Sequence, residues 1–284
     1  MKPPPFAYSA PGTVTDALAL LAALGPDGKV LAGGQSLVPL LNMRLAAPAH
    51  LVDINGLEAE LGAVEVTDAG VRVGALARHS AVEASAPAVG VLPLLRQALT
   101  QVAHPVIRNR GTVVGSLAHA DPSAELPAVL CLVGGSVQVA SAGSERIVAA
   151  ADLFAGPMET CLRPGELIVS AWFPALPERT TTAFLEVTRR HGDYAVCGVA
   201  VAVTRDPDGA ITGARAAYVS VSDTPLVLDL TDALVTGEAA GDRVFAAARL
   251  AAASVSPDDD IHATAGYRRH LAGVLTARAL RAAS

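Results

Sequence analysis

The sequence predicts an α+β fold divided into two domains. The chain has 284 residues, and two ordinary domains are the simplest division because single hydrophobic cores stop growing at about 250 to 300 residues. Helical and strand-like patterns alternate up to a proline-containing break at residues 174–177, after which a strand hairpin precedes two alanine-rich helices. We therefore expect domains at residues 1–174 and 178–284.

The composition indicates a folded chain that acts away from nucleic acids and membranes. Hydrophobic residues make up 51% of the chain and charged residues 17%, which is enough to bury a core. The net charge of -6 predicts no broad basic surface for nucleic acid or anionic lipid. Uninterrupted apolar runs fall well short of the roughly 18 residues that a membrane span needs. We expect neither type of partner.

The cysteines and the first residues favour a cytoplasmic protein. Cys131, Cys161 and Cys197 are odd in number and widely spaced, which fits neither a disulfide framework nor a metal-binding CxxC pair. The sequence opens Met-Lys-Pro-Pro-Pro without the apolar segment of a secretory signal. Any metal or iron–sulfur chemistry is expected on another chain.

The first elements follow from apolar spacing and from capping residues. Residues 13–24 predict a helix that begins at Thr13 with Asp16 and ends at the Gly-Pro pair 25–26.

A strand over 30–32 then leads into a second helix, predicted over 37–45 with Ser36 as N-cap. Pro39 is tolerated there because it lies in the first turn. Residues 51–54 predict another strand.

The middle of the chain mixes a hairpin, helices and an irregular segment before it turns to strands. The hairpin is predicted at 61–66 and 71–75, and a helix follows at 92–102. Asp121-Pro122 predicts a further helix that runs to Leu132, with aspartate at the N-cap and proline at the first helical position. Strands dominate after residue 137, and 167–173 is the clearest.

The last third predicts a hairpin and two helices. The hairpin joins 197–204 to 211–221 across Asp-Pro-Asp-Gly at 206–209, a composition that favours a turn. The helices are predicted over 243–253 and 264–282.

A double glycine joins the strand at 30–32 to the following helix. Without Cβ atoms, Gly33 and Gly34 let backbone N–H groups approach and surround an anion such as a phosphate. A tight strand-to-helix turn without any ligand explains the same residues. Neither the GxGxxG spacing nor a GK[ST] loop occurs in the chain.

A second stretch of glycines and hydroxyls covers 111–116 and continues into 119–125. It combines two glycines, two hydroxyl side chains and a helix start, and Glu125 can accept a hydrogen bond from a ribose hydroxyl. Two such stretches in one domain favour a dinucleotide, because its two phosphates and two sugars need several anchors. Nucleotide binding and ordinary turn chemistry both remain open on these residues alone.

Three other clusters carry weaker signals. His119, Asp121 and Ser123 do not predict a hydrolytic triad, since residues two apart at a helix start point in different directions. The run 258–260 lacks calcium-loop spacing and predicts a solvated turn. The stretch 189–194 predicts either a charged turn or a tyrosine, Tyr194, that lies on a ring system.

Three motifs together resemble one known family. AGGQSLVPLLNMRL at 32–45, RNRGTVVGSLAHADPSAELP at 108–127 and RRHGDYA at 189–195 are similar to the FAD-binding medium subunits of molybdenum hydroxylases. This family includes the carbon monoxide dehydrogenase medium subunits and, more distantly, the flavin domain of xanthine dehydrogenase. The resemblance spans nearly the whole chain, in order.

The resemblance implies a specific architecture. An FAD-binding domain of the vanillyl-alcohol oxidase type would consist of two subdomains, about 1–56 and 57–174. A small C-terminal domain with a three-stranded antiparallel sheet and helices would follow.

The resemblance also implies which residues bind FAD. The first loop would wrap the pyrophosphate, the second would contact pyrophosphate and flavin, one acidic residue would bind the adenosine ribose, and aliphatic and aromatic residues would lie near the isoalloxazine. The first loop is Ala32, Gly33, Gly34, Gln35, Ser36 and Leu37, and the second is Thr112, Val114, Gly115 and Ser116. The acidic residue is Glu125, and the residues near the isoalloxazine are Ile107, Leu162, Ile168 and Tyr194. His119 and Asp121 also belong to the second motif. Val114 departs from the glycine that the family usually carries, and we expect a backbone conformation there that valine can adopt.

The function implied is electron transfer, and no catalytic residue is expected on this chain. A large subunit would carry molybdenum on molybdopterin cytosine dinucleotide, and a small subunit would pass electrons from two [2Fe-2S] clusters to FAD on this chain, in a dimer of heterotrimers. FAD would then reduce an external acceptor.

Two other functions are alternatives to electron transfer. One is a self-contained flavin oxidase of the vanillyl-alcohol oxidase type, for which the sequence after Pro174 is short. The other is a flavin-free scaffolding subunit, for which Val114 is the hint.

Overall fold

The computed structural model describes residues 2–235 and 240–284, and within them the chain folds into three consecutive parts. Each part is built around its own sheet. The first part contains β1 (Ala7–Ser9), α1 (Val14–Leu24), β2 (Gly28–Leu31), α2 (Leu37–Asn42), β3 (His50–Asp53) and α3 (Glu58–Leu61).

The first part is a small parallel sheet in the order β1-β3-β2. The predicted start of α1 is confirmed, because Thr13 Oγ1 accepts a hydrogen bond from the Asp16 backbone N–H at 3.1 Å. Helix α2 is shorter than predicted and ends at Asn42, before Arg44 adopts a left-handed φ of 60°. Ser36 is the N-cap residue of α2, as predicted, but its side chain makes no capping hydrogen bond.

The second part surrounds an antiparallel sheet of five strands in the order β4-β5-β10-β6-β7. The predicted hairpin is β4 paired with β5. The elements are β4 (Val64–Thr67), β5 (Gly70–Gly74), α4 (His79–Ala84), α5 (Ala86–Val91), α6 (Pro93–Leu99), α7 (Pro105–Arg108), α8 (Val113–His119), α9 (Glu125–Val133), β6 (Ser136–Ser141), β7 (Ser144–Ala149), α10 (Ala150–Leu153), β8 (Phe154–Gly156), β9 (Glu159–Thr160) and β10 (Leu167–Pro174).

The helix predicted to start at Asp121-Pro122 starts later. Helix α9 begins at Glu125, and its N-cap is Ala124 rather than Asp121. Asp121 Oδ1 instead accepts a hydrogen bond from the Ser123 backbone N–H at 2.8 Å. This local turn competes with helix initiation, since aspartate side chains bond readily to the backbone two residues on. The N-cap prediction for Asp121 is therefore wrong.

The third part is an antiparallel sheet covered by helices. Its strand order is β11-β12-β13-β14, so a short edge strand joins the three long strands that were predicted. The predicted hairpin turn is confirmed, with Asp206 Oδ1 accepting the N–H groups of Asp208 and Ala210. The elements are β11 (Thr180–Thr188), β12 (Ala195–Arg205), β13 (Ile211–Val219), β14 (Leu226–Asp229), α11 (Thr231–Val235), α12 (Ala240–Ser254) and α13 (Ala265–Ala282).

The sheet of the third part is buried on both faces. Alternate residues of β12 separate the two environments: Val199 and Val201 pack with α13, whereas Ala200 and Ala202 join the core of the second part. Helix α9 lies on this second face, against β12 and β13. Side chains as small as alanine let α9 approach closely, so the third part is docked tightly onto the second.

The α+β prediction is confirmed by these three sheets and their helices. None of the described helices is long and apolar enough to cross a bilayer.

We predict that Ala200→Leu weakens the docking of the third part. Ala200 is fully buried in the core of the second part, and overpacking of such a core typically costs about 1 to 3 kcal/mol. Urea unfolding of the full chain measures this loss. The matched control is Ala210→Leu in the exposed hairpin turn, where we expect a change within about 0.5 kcal/mol. Equal stability of the two variants would contradict the packing described above.

Candidate functional site

The two glycine-rich loops predicted from the sequence touch each other in the structure. Gly33 lies between β2 and α2, and a Cβ atom built on it would fall 2.2 Å from the Arg110 carbonyl oxygen and 2.9 Å from Gly111 Cα. No side chain fits at this distance. Gly34 adopts a left-handed φ of +72°, which glycine adopts at little cost. Gly33 is thus required by contact with the second loop.

A cleft of about 460 Å³ opens beside this contact. Five predicted residues line it, four from the first loop and Ile107 from α7. Ser36 and Leu37 adjoin it at the start of α2 but are not among the lining residues. The full lining is Leu31, Ala32, Gly33, Gly34, Gln35, Val38, Pro39, Asp53, Asn55, Ile107 and Arg110.

A polar network that the sequence analysis missed supports the cleft. The Asn55 side-chain N–H donates to the Ala32 carbonyl at 2.8 Å and to Asp53 Oδ1 at 2.6 Å. Arg78 donates to Asn55 Oδ1 at 2.8 Å and to the Arg110 carbonyl at 2.7 Å, so one guanidinium joins both loops. The available signal was an aspartate at the end of a parallel strand, β3, and an asparagine two residues later.

The charge of Asp53 is held within this network. Burial alone would raise the pKa of this carboxyl, but hydrogen bonds from Tyr8 and Asn55 and the positive charge of Arg78 lower it below its ordinary value. The Tyr8 hydroxyl donates to Asp53 Oδ2 at 2.6 Å. An ionised Asp53 therefore fixes Asn55, which in turn holds the first loop.

His79 fills the space behind the second loop. It is 5% exposed, and a Cβ atom on Gly111 would lie 3.0 Å from its Nδ1. Burial, with the nearby Arg108 charge, lowers the pKa of His79 to about 4, so the ring is neutral at physiological pH. A side chain at Gly111 would therefore press against this buried imidazole.

The second loop leads into α8 through a side-chain cap. Thr112 Oγ1 accepts a hydrogen bond from the Gly115 backbone N–H at 3.0 Å, and a Cβ atom on Gly115 would lie 2.5 Å from that oxygen. Val114 lies in the first turn of this helix and is 3% exposed. Valine is compatible with this helical conformation, as expected. Ser116 is half-buried in the same helix.

An acidic cluster joins the end of the second motif to the third part. Glu125 opens α9 and is 8% exposed, while Glu186 lies on β11 with Oε2 buried and without a hydrogen-bond partner among the described residues. Burial and the charge of Asp121 raise the pKa of Glu125 to about 7, and burial and the charge of Glu125 raise that of Glu186 to about 8. Near neutral pH these raised pKa values favour the protonated form of Glu186 and leave Glu125 close to the midpoint of its titration.

His119 and Tyr194 border this cluster. His119 ends α8, and burial lowers its pKa although the charge of Asp121 opposes the shift. Tyr194 is 69% exposed, and burial of its hydroxyl followed by the charges of Asp121 and Glu125 raises its pKa. The structure thus brings Tyr194 of the third motif near Asp121 and Glu125 of the second motif.

Two predicted aliphatic residues, Ile168 and Leu162, are not among the residues that line the cleft. Ile168 is 2% exposed on β10, where a bulge between Ile168 and Ser170 shifts the pairing with β6. Leu162 is half-buried and packs against the same core. Strand alternation decides which way such residues point, and the bulge changes it locally.

The clusters with weaker signals have structural explanations. Asp260 accepts hydrogen bonds from Arg268 at 2.5 Å and from the backbone of His262, and no group of metal ligands occurs within residues 2–235 and 240–284. Asp193 pairs with Arg190 at 3.2 Å, as expected of a charged turn.

A second cleft, of about 500 Å³, lies on the outer face of the five-stranded sheet, around Trp172. Its Arg72 already donates to Gln138 and Ser170. None of the residues that carry the sequence motifs line it, so the candidate site is the cleft at the glycine loops.

We predict that Glu186→Gln reduces the loss of stability that accompanies rising pH. The raised pKa of Glu186 means that the folded chain binds a proton more tightly than the unfolded chain, whose carboxyl titrates near 4.5. Stability contributed by this proton is present at low pH and is lost as pH rises through about 8.

Thermal unfolding from about pH 5 to about pH 8 tests this prediction. The melting temperature of Glu186→Gln should fall less than that of the wild type across this range. Glu178→Gln, at a side chain that is 92% exposed, is the control. The same dependence of melting temperature on pH in the wild type and in Glu186→Gln would show that Glu186 is not a buried, protonated carboxyl.

Comparisons with known proteins match both halves of the chain. Residues 4–176 match the family described as the FAD binding domain in molybdopterin dehydrogenase, and residues 182–283 match the CO dehydrogenase flavoprotein C-terminal domain. The chain is 40% identical to the 6-hydroxypseudooxynicotine dehydrogenase complex subunit alpha of Paenarthrobacter nicotinovorans, over 99% of this chain and 95% of that protein.

Solved structures are similar over the full length. The carbon monoxide dehydrogenase of Hydrogenophaga pseudoflava, in a form that lacks the Mo-pyranopterin moiety, matches with a TM-score of 0.92 at 36% identity, over 100% of this chain and 98% of that one. The quinoline 2-oxidoreductase of Pseudomonas putida 86 matches with a TM-score of 0.92 at 34% identity and the same coverage. This chain belongs to the family of FAD-binding medium subunits of molybdenum hydroxylases.

Proposed function

We propose that this chain carries FAD and transfers electrons within a heterotrimeric molybdenum hydroxylase, from [2Fe-2S] clusters on a partner subunit to an external acceptor. The observation that carries the proposal is the contact of Gly33 with the backbone of residues 110–111. It places two loops, each with the composition of a phosphate-binding turn, on one cleft. Family membership supplies the identity of the cofactor.

The residues present fit FAD. The glycines leave backbone N–H groups of the first loop accessible. The first helical hydrogen bond of α2 runs from the Val38 N–H to the Gly34 carbonyl. The N–H groups that precede Val38 therefore have no partner within the helix. We assign the pyrophosphate to residues 32–37 and to the second loop at 112–116, and the adenosine ribose to Glu125. Ile107 and Tyr194 are assigned to the isoalloxazine, with His119 and Asp121 beside them and Leu162 and Ile168 supporting the site from the core.

Bound FAD supplies the ability to accept electrons singly and to deliver them in pairs. The protein positions it and controls its surroundings. The raised pKa of Glu186 favours a protonated carboxyl that can donate a hydrogen bond, and Glu125, with a pKa of about 7, can donate or accept one. Tyr194, which is largely exposed in the chain by itself, is placed to cover one side of a bound ring.

We further propose that the metal chemistry lies on other subunits. The described residues contain no metal-ligand cluster, and the three cysteines are free. A large subunit with molybdenum and molybdopterin cytosine dinucleotide would hydroxylate the substrate, and a small subunit would hold two [2Fe-2S] clusters. We expect a dimer of these heterotrimers in the cytoplasm, where free thiols persist, and domains at 1–174 and 178–284.

The relatives' names support this assembly over the two alternatives. Those proteins are called subunits or medium chains of dehydrogenases, and this chain covers 95% or more of the length of the first ones. The third part packs its sheet against α9 and α6, which favours a docking role over that of a substrate-capping domain.

We predict that Gly33→Val abolishes FAD binding in an otherwise folded complex. A valine side chain cannot occupy the 2.2 Å gap to the Arg110 carbonyl, so the two loops must separate. After reduction by dithionite, the [2Fe-2S] clusters of the partner subunit should then fail to pass electrons to the external acceptor, although the clusters themselves remain. Absorption spectra and acceptor reduction measure the two effects.

Gly12→Val is the matched control, because a Cβ atom there meets nothing within 4 Å. It should retain flavin and acceptor reduction. Full FAD occupancy in Gly33→Val would refute the loop assignment. Undiminished acceptor reduction by a flavin-free complex would refute the electron-transfer function.

A further inference from the structure

Ser220 makes hydrogen bonds through every one of its polar groups. It follows β13, is 7% exposed and adopts a left-handed φ of 60°. Its backbone N–H donates to the Pro122 carbonyl at 2.9 Å, and its own carbonyl accepts from Arg268 Nη1 at 2.9 Å. A serine holds this sparsely populated conformation only where the surroundings impose it.

The Ser220 hydroxyl bonds to two other segments. Its Oγ lies 2.6 Å from the Ala195 carbonyl oxygen and 2.7 Å from Ser123 Oγ. Both contacts are oriented with the Ser220 hydroxyl as the donor, and this hydroxyl has one hydrogen, which it shares between the Ala195 carbonyl and Ser123 Oγ. Ser220 therefore links Ser123 to Ala195.

These hydrogen bonds connect the second part of the structure to the third. Ser123 belongs to the segment that ends at Glu125, and Ala195 directly follows Tyr194. Arg268 of α13 strengthens the junction, because its Nη1 also donates to the Val196 carbonyl at 3.0 Å. Ser220 therefore fixes the separation between the segment that leads to Glu125 and the segment that follows Tyr194. Both Glu125 and Tyr194 are proposed FAD contacts.

We propose that Ser220 is a positioning residue of the flavin site, which sets the spacing between Glu125 and Tyr194 through Ser123 and Ala195. The inference rests on the proposed function. Ser220 acts through the two segments that it joins, and its loss should loosen the binding of FAD and change the environment of the ring.

The test compares variants of the full chain in the complex with which it purifies. Ser123→Ala removes the hydroxyl to which Ser220 bonds and leaves the strained backbone at Ser220 unchanged. Ser220→Gly removes the Ser220 hydroxyl and introduces a residue that favours the left-handed region. Ser222→Ala is the matched control, because its hydroxyl bonds to the Thr224 carbonyl at 2.6 Å within the same loop.

The measurements are the FAD dissociation constant, the flavin absorption spectrum and the melting temperature of the flavin-free protein. We expect Ser123→Ala and Ser220→Gly to raise the dissociation constant about 3- to 10-fold, as the loss of one hydrogen bond predicts, and to shift the flavin spectrum. Ser123→Thr, which keeps the hydroxyl, should restore both values. A purely structural role would change the melting temperature alone.

The outcomes separate this inference from the proposed function. Wild-type affinity and spectrum in Ser123→Ala and Ser220→Gly, or an equal loss in Ser222→Ala, would overturn the inference while FAD binding by the wild type stands. Absence of FAD binding by the wild type would overturn both.

Discussion

The contact between Gly33 and the backbone of residues 110–111 is the constraint on which the site depends. The first loop belongs to a parallel sheet near the N-terminus and the second precedes α8 in the next part of the chain. Only a glycine lets the two backbones come this close. Their contact joins two loops that are far apart in sequence at one cleft.

Polar groups and the third part of the chain hold this contact in place. Arg78 bonds to Asn55 and to the Arg110 carbonyl, which links the supports of both loops. The sheet of the third part rests on α9 and brings Glu186 and Tyr194 beside Glu125. Family membership explains why such an arrangement exists, and the packing explains how this sequence achieves it.

The sequence predicted those features that depend on local chemistry. The glycine loops, the Thr13 cap and the turn at 206–209 each follow from a few adjacent residues, and the structure places all of them as expected. The three-motif resemblance identified the family because its residues are spread over the chain in the right order.

The features that sequence analysis missed depend on contacts between distant residues. Nothing near Arg78 indicates that it bridges two loops, and nothing near Glu186 indicates a buried partner at Glu125. Asp121 was assigned to a helix cap because Asp-Pro favours one, yet a turn to Ser123 satisfies the same carboxylate more locally. The direction in which the Ile168 side chain points depends on the bulge in β10, and this bulge has no signal in the sequence.

The most direct test compares the affinity of the flavin-free wild-type complex for FAD and for FMN by calorimetric titration. If the two loops hold a pyrophosphate, FAD should bind at least about 100-fold more tightly than FMN, which has one phosphate and no adenosine. Equal affinities for the two flavins would show that the loops hold no pyrophosphate and would contradict the account of this cleft.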